Sequence, residues 1–133
     1  MIQSFEPIYK EFENLFINML PEYIEKINKE HNDGIILKLF ENKKLDENYI
    51  KLPFYKITFN SGVYSEKDRI IENAIFNVKV EFKLEEKKRQ NISTLWRYIE
   101  AVNMMFEEEE TQFFYLITDI QENTIYIKII NEN

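Results

Sequence analysis

Apolar positions recur along residues 5–30 at steps of three and four: Phe5, Ile8, Phe12, Leu15, Phe16, Met19, Tyr23, Ile24 and Ile27. That spacing stacks them on one face of a helix. Ser4 reads as the N-cap, and Pro7 falls in the first turn, where its missing N–H costs little. Pro21 sits inside the pattern, where it removes one hydrogen bond and presses on the carbonyl of Ile17. The stripe stays in phase beyond it, which predicts a kinked helix or two helices in line. Asn32-Asp33-Gly34 ends the segment, with Gly34 able to take the left-handed conformation.

The rhythm then changes to two. Ile35–Phe40 reads as a short apolar strand, and the polar stretch Glu41–Leu52 as an excursion. Phe54–Asn60 alternates, with Tyr55, Ile57 and Phe59 on one face. Asn60-Ser61-Gly62 carries turn chemistry, and Val63–Asn73 reads as a loop. Ile75–Leu84 is the clearest strand, since Phe76, Val78, Val80, Phe82 and Leu84 alternate with polar residues throughout. The charge run Glu85–Gln90 leads into a second helix over residues 88–107, with Leu95, Tyr98, Ile99, Val102, Met105 and Phe106 as its stripe. Gln112–Ile120 and Thr124–Ile130 read as a hairpin joined by Gln121-Glu122-Asn123. The last strand is apolar on both faces, so it is either central in the sheet or covered. The order α-β-β-β-α-β-β predicts an α+β domain spanning 1–133. It has a mainly antiparallel sheet of about five strands with two helices packed on it.

Composition narrows the chemistry. The 133 residues include no cysteine, one histidine (His31) and two glycines (Gly34, Gly62). Disulfides are excluded, and two glycines cannot build a phosphate-cradling loop. Ser4, Ser61, Ser65 and Ser93 lack a nucleophile-elbow context. His31 has no Cys or His partner for a zinc site and reads as a helix-end residue. The 24 acidic residues make chance carboxylate pairs plentiful and unspecific. No catalytic, metal or cofactor-binding residue is therefore assigned. No apolar run reaches the roughly 20 residues of a membrane span, and the N-terminus lacks the basic-then-apolar order of a secretory signal. The net charge of −7 falls as −4 over residues 1–33, +2 over 34–84, −3 over 85–111 and −2 over 112–133. Such a chain is a poor candidate for binding a nucleic-acid backbone, and suits a soluble protein or one meeting a basic protein surface; with no span, no membrane partner is expected.

Two clusters stand out as contact candidates. Glu107, Glu108, Glu109 and Glu110 follow the second helix, where they oppose its dipole unless the helix stops short or a basic group faces them. They read as a solvated loop or as a surface for a basic partner. Trp96 falls off the apolar stripe beside Arg97, the composition of an interface anchor. The alternative is a half-buried Trp covering the helix–sheet seam.

The element order, the phrase Leu52-Pro53-Phe54-Tyr55-Lys56-Ile57 and the stretch from Glu66 through Asp68-Arg69-Ile70 to Val80 together resemble small phage tail terminator or tail-completion proteins. The resemblance implies a long first helix, a three-stranded sheet, a charged loop before the longest strand, a second helix and closing strands. It also implies a non-catalytic homo-oligomeric ring, often a hexamer, that ends the tail tube and joins the head connector. Such a protein is made in the host bacterial cytoplasm and then carried in the virion, and its subunits meet through sheet edges and loops. By position, the Val63–Asn73 loop is the contact, with Tyr64, Lys67, Asp68 and Arg69 as its polar residues. The rival expectation is a small acidic immunity or inhibitor protein that masks a basic toxin by charge. A small-molecule binding module would need an apolar pocket that no sequence pattern reveals.

Overall fold

The computed structural model describes residues 2, 4–46, 51–85 and 91–132. The stripe of residues 5–30 forms one interrupted helical segment. Its first part, α1 (Glu6–Asn14), starts at Phe5 with no side-chain cap, so the expected Ser4 cap is not made. Pro7 lies in the first turn and leaves one fewer amide in need of a partner. A wide π-helical turn, Leu15–Met19, follows, and the Leu20 N–H bonds the Leu15 carbonyl five residues back. That extra residue brings Pro21 into the first turn of α2 (Leu20–Glu30), where no N–H is required. Phe12, Leu15, Phe16, Leu20, Tyr23, Ile24 and Ile27 all stay buried across the interruption. His31 closes α2 by donating its N–H to Ile27 at 3.3 Å, and Gly34 takes a φ of +82°.

Ile35–Phe40 is not a strand. Asn28, on α2, replaces the missing neighbour: its Oδ1 accepts from the Leu37 N–H at 2.7 Å and its Nδ2 donates to the Leu37 carbonyl at 2.9 Å. Tyr98 Oη adds a 2.6 Å bond to the Lys38 carbonyl. Asn42 does the same for β1, bonding both the N–H and the carbonyl of Tyr55 at 2.9 and 3.0 Å. Three side chains thus satisfy backbone groups that a fifth strand would have paired.

The sheet has four strands: β1 (Phe54–Lys67), β2 (Ile70–Lys83), β3 (Phe114–Gln121) and β4 (Thr124–Asn131). All neighbours are antiparallel, in the order β1-β2-β4-β3. The strand apolar on both faces, β4, is central. The expected turn Asn60-Ser61-Gly62 and the expected loop Val63–Asn73 are instead one long hairpin. Its turn is Asp68-Arg69, with φ of 53° and 64°, the doubly positive geometry of a primed turn. Asn60 is accommodated as a bulge between Phe59 and Ser61. Between β2 and β3 runs α3 (Asn91–Glu108), close to the expected helix 88–107. Residues 86–90 of the charge run and residues 47–50 of the excursion lie outside the described residues.

Pairing register sorts the sheet into two faces. Phe59, Val78, Ile127 and Ile117 form one transverse row, and Phe76, Ile129 and Tyr115 share the next on the same face. The helices pack there, with Phe12 and Phe16 on Phe59, Tyr115 and Tyr55, and with Tyr98 and Phe106 on Phe82 and Tyr115. The opposite face carries Lys56, Lys79, Glu81 and Lys128, plus the apolar row Val63, Ile75, Ile130 and Phe114. A Glu11 carboxylate ties helix to sheet: it accepts from the Gln112 N–H at 2.8 Å, the Phe113 N–H at 3.0 Å and Tyr115 Oη at 2.9 Å. Burial and the nearby Glu11 charge push the Tyr115 hydroxyl well above its ordinary value.

Candidate functional site

The sequence-derived contact residues fall on two separate flanks. Tyr64 and Lys67 belong to β1 and Asp68 and Arg69 form the tip of its hairpin, so this group lies at one edge of the sheet. Residues 58–67 of β1 are all exposed, and β2 pairs with β4 only from Ala74 onward. From Ser65 to Asn73 the hairpin therefore runs beyond β4 as a two-stranded arm. Next to its tip it is tethered by Ile2, whose carbonyl accepts from the Ile71 N–H at 2.8 Å. Tyr64 packs edge-on against Phe5, 4.9 Å between centroids.

Trp96 lies on the other flank. It is 64% exposed, which removes the alternative of a half-buried Trp sealing the seam. With Ile99, Glu100, Asn103, Ile117 and Ile120 it lines a groove of about 450 Å³ between α3 and the edge strand β3. Arg97 points elsewhere, as successive helical residues must. Its guanidinium makes a forked pair with Asp33 and bonds the Ile35 carbonyl at 3.3 Å, and its side chain is only 11% exposed. Those bonds, with the Ile35 N–H, hold the Asp33 carboxyl down at about 2. Arg97 fastens the segment after α2 and is not part of the Trp96 surface.

The acidic run is largely answered from within the chain. The helix α3 continues through Glu108, against the dipole preference, and α2 supplies the compensation. Lys26 Nζ meets Glu108 at 3.3 Å and Tyr23 Oη donates to Glu109 at 2.9 Å. Asn103 Nδ2 donates to Glu107 at 3.2 Å. Burial, then the Glu109 bond, pushes the Tyr23 hydroxyl up to about 12. Among the described residues, no group of three or more His, Cys, Asp or Glu is placed to hold a metal ion, and no helix is long and apolar enough to cross a membrane.

Sequence reasoning missed an aromatic groove. Phe5, Ile8, Tyr9, Phe59 and Phe76 enclose about 260 Å³ between α1 and the base of the arm. The bulge at Asn60 creates it: Phe59 and Gly62 both come to the helix side, and the Phe76 ring lies directly over Gly62. The signal in the chain is Gly62 itself, a strand glycine marking close approach.

No family model matches this chain, and no curated protein or solved structure matches it.

Proposed function

We propose that this protein is a non-catalytic structural protein of the phage tail-terminator type. It closes into a homo-oligomeric ring, a hexamer by resemblance, that ends the tail tube and joins it to the head connector. It is made in the bacterial cytoplasm and then carried in the virion. The supporting observation is that the sheet ends in two unlike edges. Each of β1 and β3 has one strand neighbour, and β3 carries neither Lys nor Pro, the usual guards of an exposed edge. Phe114, Leu116 and Ile120 are exposed along it. Two different complementary edges on one subunit are what a heterologous ring requires. The arm, with Lys67, Asp68 and Arg69 beyond β4 and Tyr64 at its start, is the part suited to reach a neighbouring protein.

A direct test is disruption of the gene in the phage or prophage that carries it. Tubes of uncontrolled length in electron micrographs of the lysate support the proposal; normal tails of fixed length overturn it. An acidic inhibitor of a basic toxin is the second reading, favoured by the net charge of −7. The internal bonds of Glu107, Glu108 and Glu109 weaken it, because those carboxylates already have partners. A salt-sensitive one-to-one complex with a basic neighbour-encoded protein would carry that reading instead.

A further inference from the structure

We propose that Trp96 of one copy inserts into the aromatic groove formed by Phe5, Tyr9, Phe59 and Phe76 of the next copy. This rests on the ring reading above and names the two side-chain surfaces that would join its subunits.

Three observations carry it. First, both surfaces lie on the helix-bearing side of the sheet but at opposite edges. Trp96 borders Ile117 and Ile120 of β3, whereas the groove is built on Phe59 of β1. A sideways repeat of the subunit brings one against the other, in the same direction that would align the β3 and β1 edges. Second, the shapes are complementary. Trp96 is a projecting indole on a rigid helix, 64% exposed, and the groove of about 260 Å³ takes one aromatic side chain. Its rim residues Phe5 and Phe59 are 39% and 42% exposed and offer ring faces and edges to a guest. Third, the charges oppose. Glu100, Asn103 and Glu107 continue the Trp96 side of α3 at four- and three-residue steps. The groove shares Tyr9 with an adjoining hollow lined by Lys10, Lys43 and Lys44 against Glu13 and Asp46. An aromatic anchor with Glu100 beside it thus faces an aromatic pocket next to a hollow that holds one more lysine than acids, an arrangement that favours one direction of contact. The two patches differ, so the contact is heterologous and continues around a ring.

Trp96 is the only tryptophan of the chain, so its own fluorescence reports the contact. Self-association of the full chain is followed by light scattering and by the emission maximum over a concentration series. The expected result is a blue shift that follows the rise in mass. Phe59→Glu keeps its emission at the long-wavelength position and associates at least about 30-fold more weakly, the scale of a lost hot spot. Trp96→Ala weakens association equally, as read by mass. Each variant retains one intact surface, so an equimolar mixture forms a two-subunit complex with blue-shifted emission. Far-UV circular dichroism checks folding, and Phe5→Ser replaces Phe59→Glu if the latter unfolds. A rise in mass with unmoved emission overturns the contact and leaves the ring proposal standing. A blue shift within dimers or open chains supports the contact and removes the ring. Monomers at every concentration with long-wavelength emission overturn the contact outright.

Discussion

Gly62 is the position where a single added methyl group should be felt most. Its backbone is outside the left-handed region, so the cost of a side chain there is one of space. A Cβ would stand 2.4 Å from both Cδ1 and Cε1 of Phe76 and 3.4 Å from its Cγ, against an optimal carbon separation of about 3.5–4.0 Å. The ring must move by about 1 Å or more, and it is not free to do so at no cost. Phe76 meets Phe5 edge-on at 5.3 Å, and Phe5 meets Tyr64 at 4.9 Å. Overpacking of this kind costs ~1–3 kcal/mol, and a disturbed aromatic pair adds ~0.5–1.5 kcal/mol. The lower entropy of the unfolded alanine chain returns ~0.4–1 kcal/mol. Gly62→Ala is therefore expected to lose about 1–3 kcal/mol, a fall of roughly 1 M in the urea midpoint with an unchanged slope. The double-mutant cycle with Phe76→Ala decides the cause. In that background Gly62→Ala should be neutral or slightly stabilising, because the obstructing ring is gone. Equal losses in both backgrounds, or no loss in the parent chain, would refute the close-approach explanation.

Three further outcomes follow from named bonds. Glu11→Ala strands the N–H groups of Gln112 and Phe113 and the hydroxyl of Tyr115; a loss of about 2–3 kcal/mol is expected in urea unfolding, with Glu11→Gln partly restoring it. Asn28→Ala leaves both backbone groups of Leu37 without their partner; it should cost ~1–2 kcal/mol, and the Leu37 amide should exchange hydrogen faster. Asp33 has a folded pKa depressed to about 2 by Arg97, so its contribution is present above its ordinary carboxylate range and lost as pH falls toward about 2. The urea midpoint of Asp33→Asn should accordingly change less over that acid window than the midpoint of the parent chain.

Period-two and period-three-to-four patterns made most of the fold readable. The alternation of Phe76, Val78, Val80 and Phe82 and the two-sided apolar run Ile125–Ile130 placed the two inner strands, whereas the position of Trp96 off its helical stripe fitted a half-buried seam residue as well as the exposed one it is. Errors arose where a distant side chain or an unusual backbone overrode the local signal. Ile35–Phe40 has strand chemistry, but Asn28 occupies its hydrogen-bonding edge. Asn60-Ser61-Gly62 has turn chemistry, yet it holds a bulge and the space beneath Phe76. The true turn, Asp68-Arg69, lacks the glycine that marks doubly positive φ. Arg97 could not be separated from Trp96 because Asp33 lies far away in sequence. The aromatic groove depends on a bulge that changes which β1 side chains face the helices, and alternation counted from Phe54 does not contain it.

The central claim is that this chain acts by assembling through its opposite flanks. Native mass spectrometry of the purified full-length protein across a concentration series tests it most directly. One discrete oligomer whose subunit number stays fixed as concentration rises is the predicted result. A monomer at every concentration, or an open-ended ladder of sizes, would contradict it.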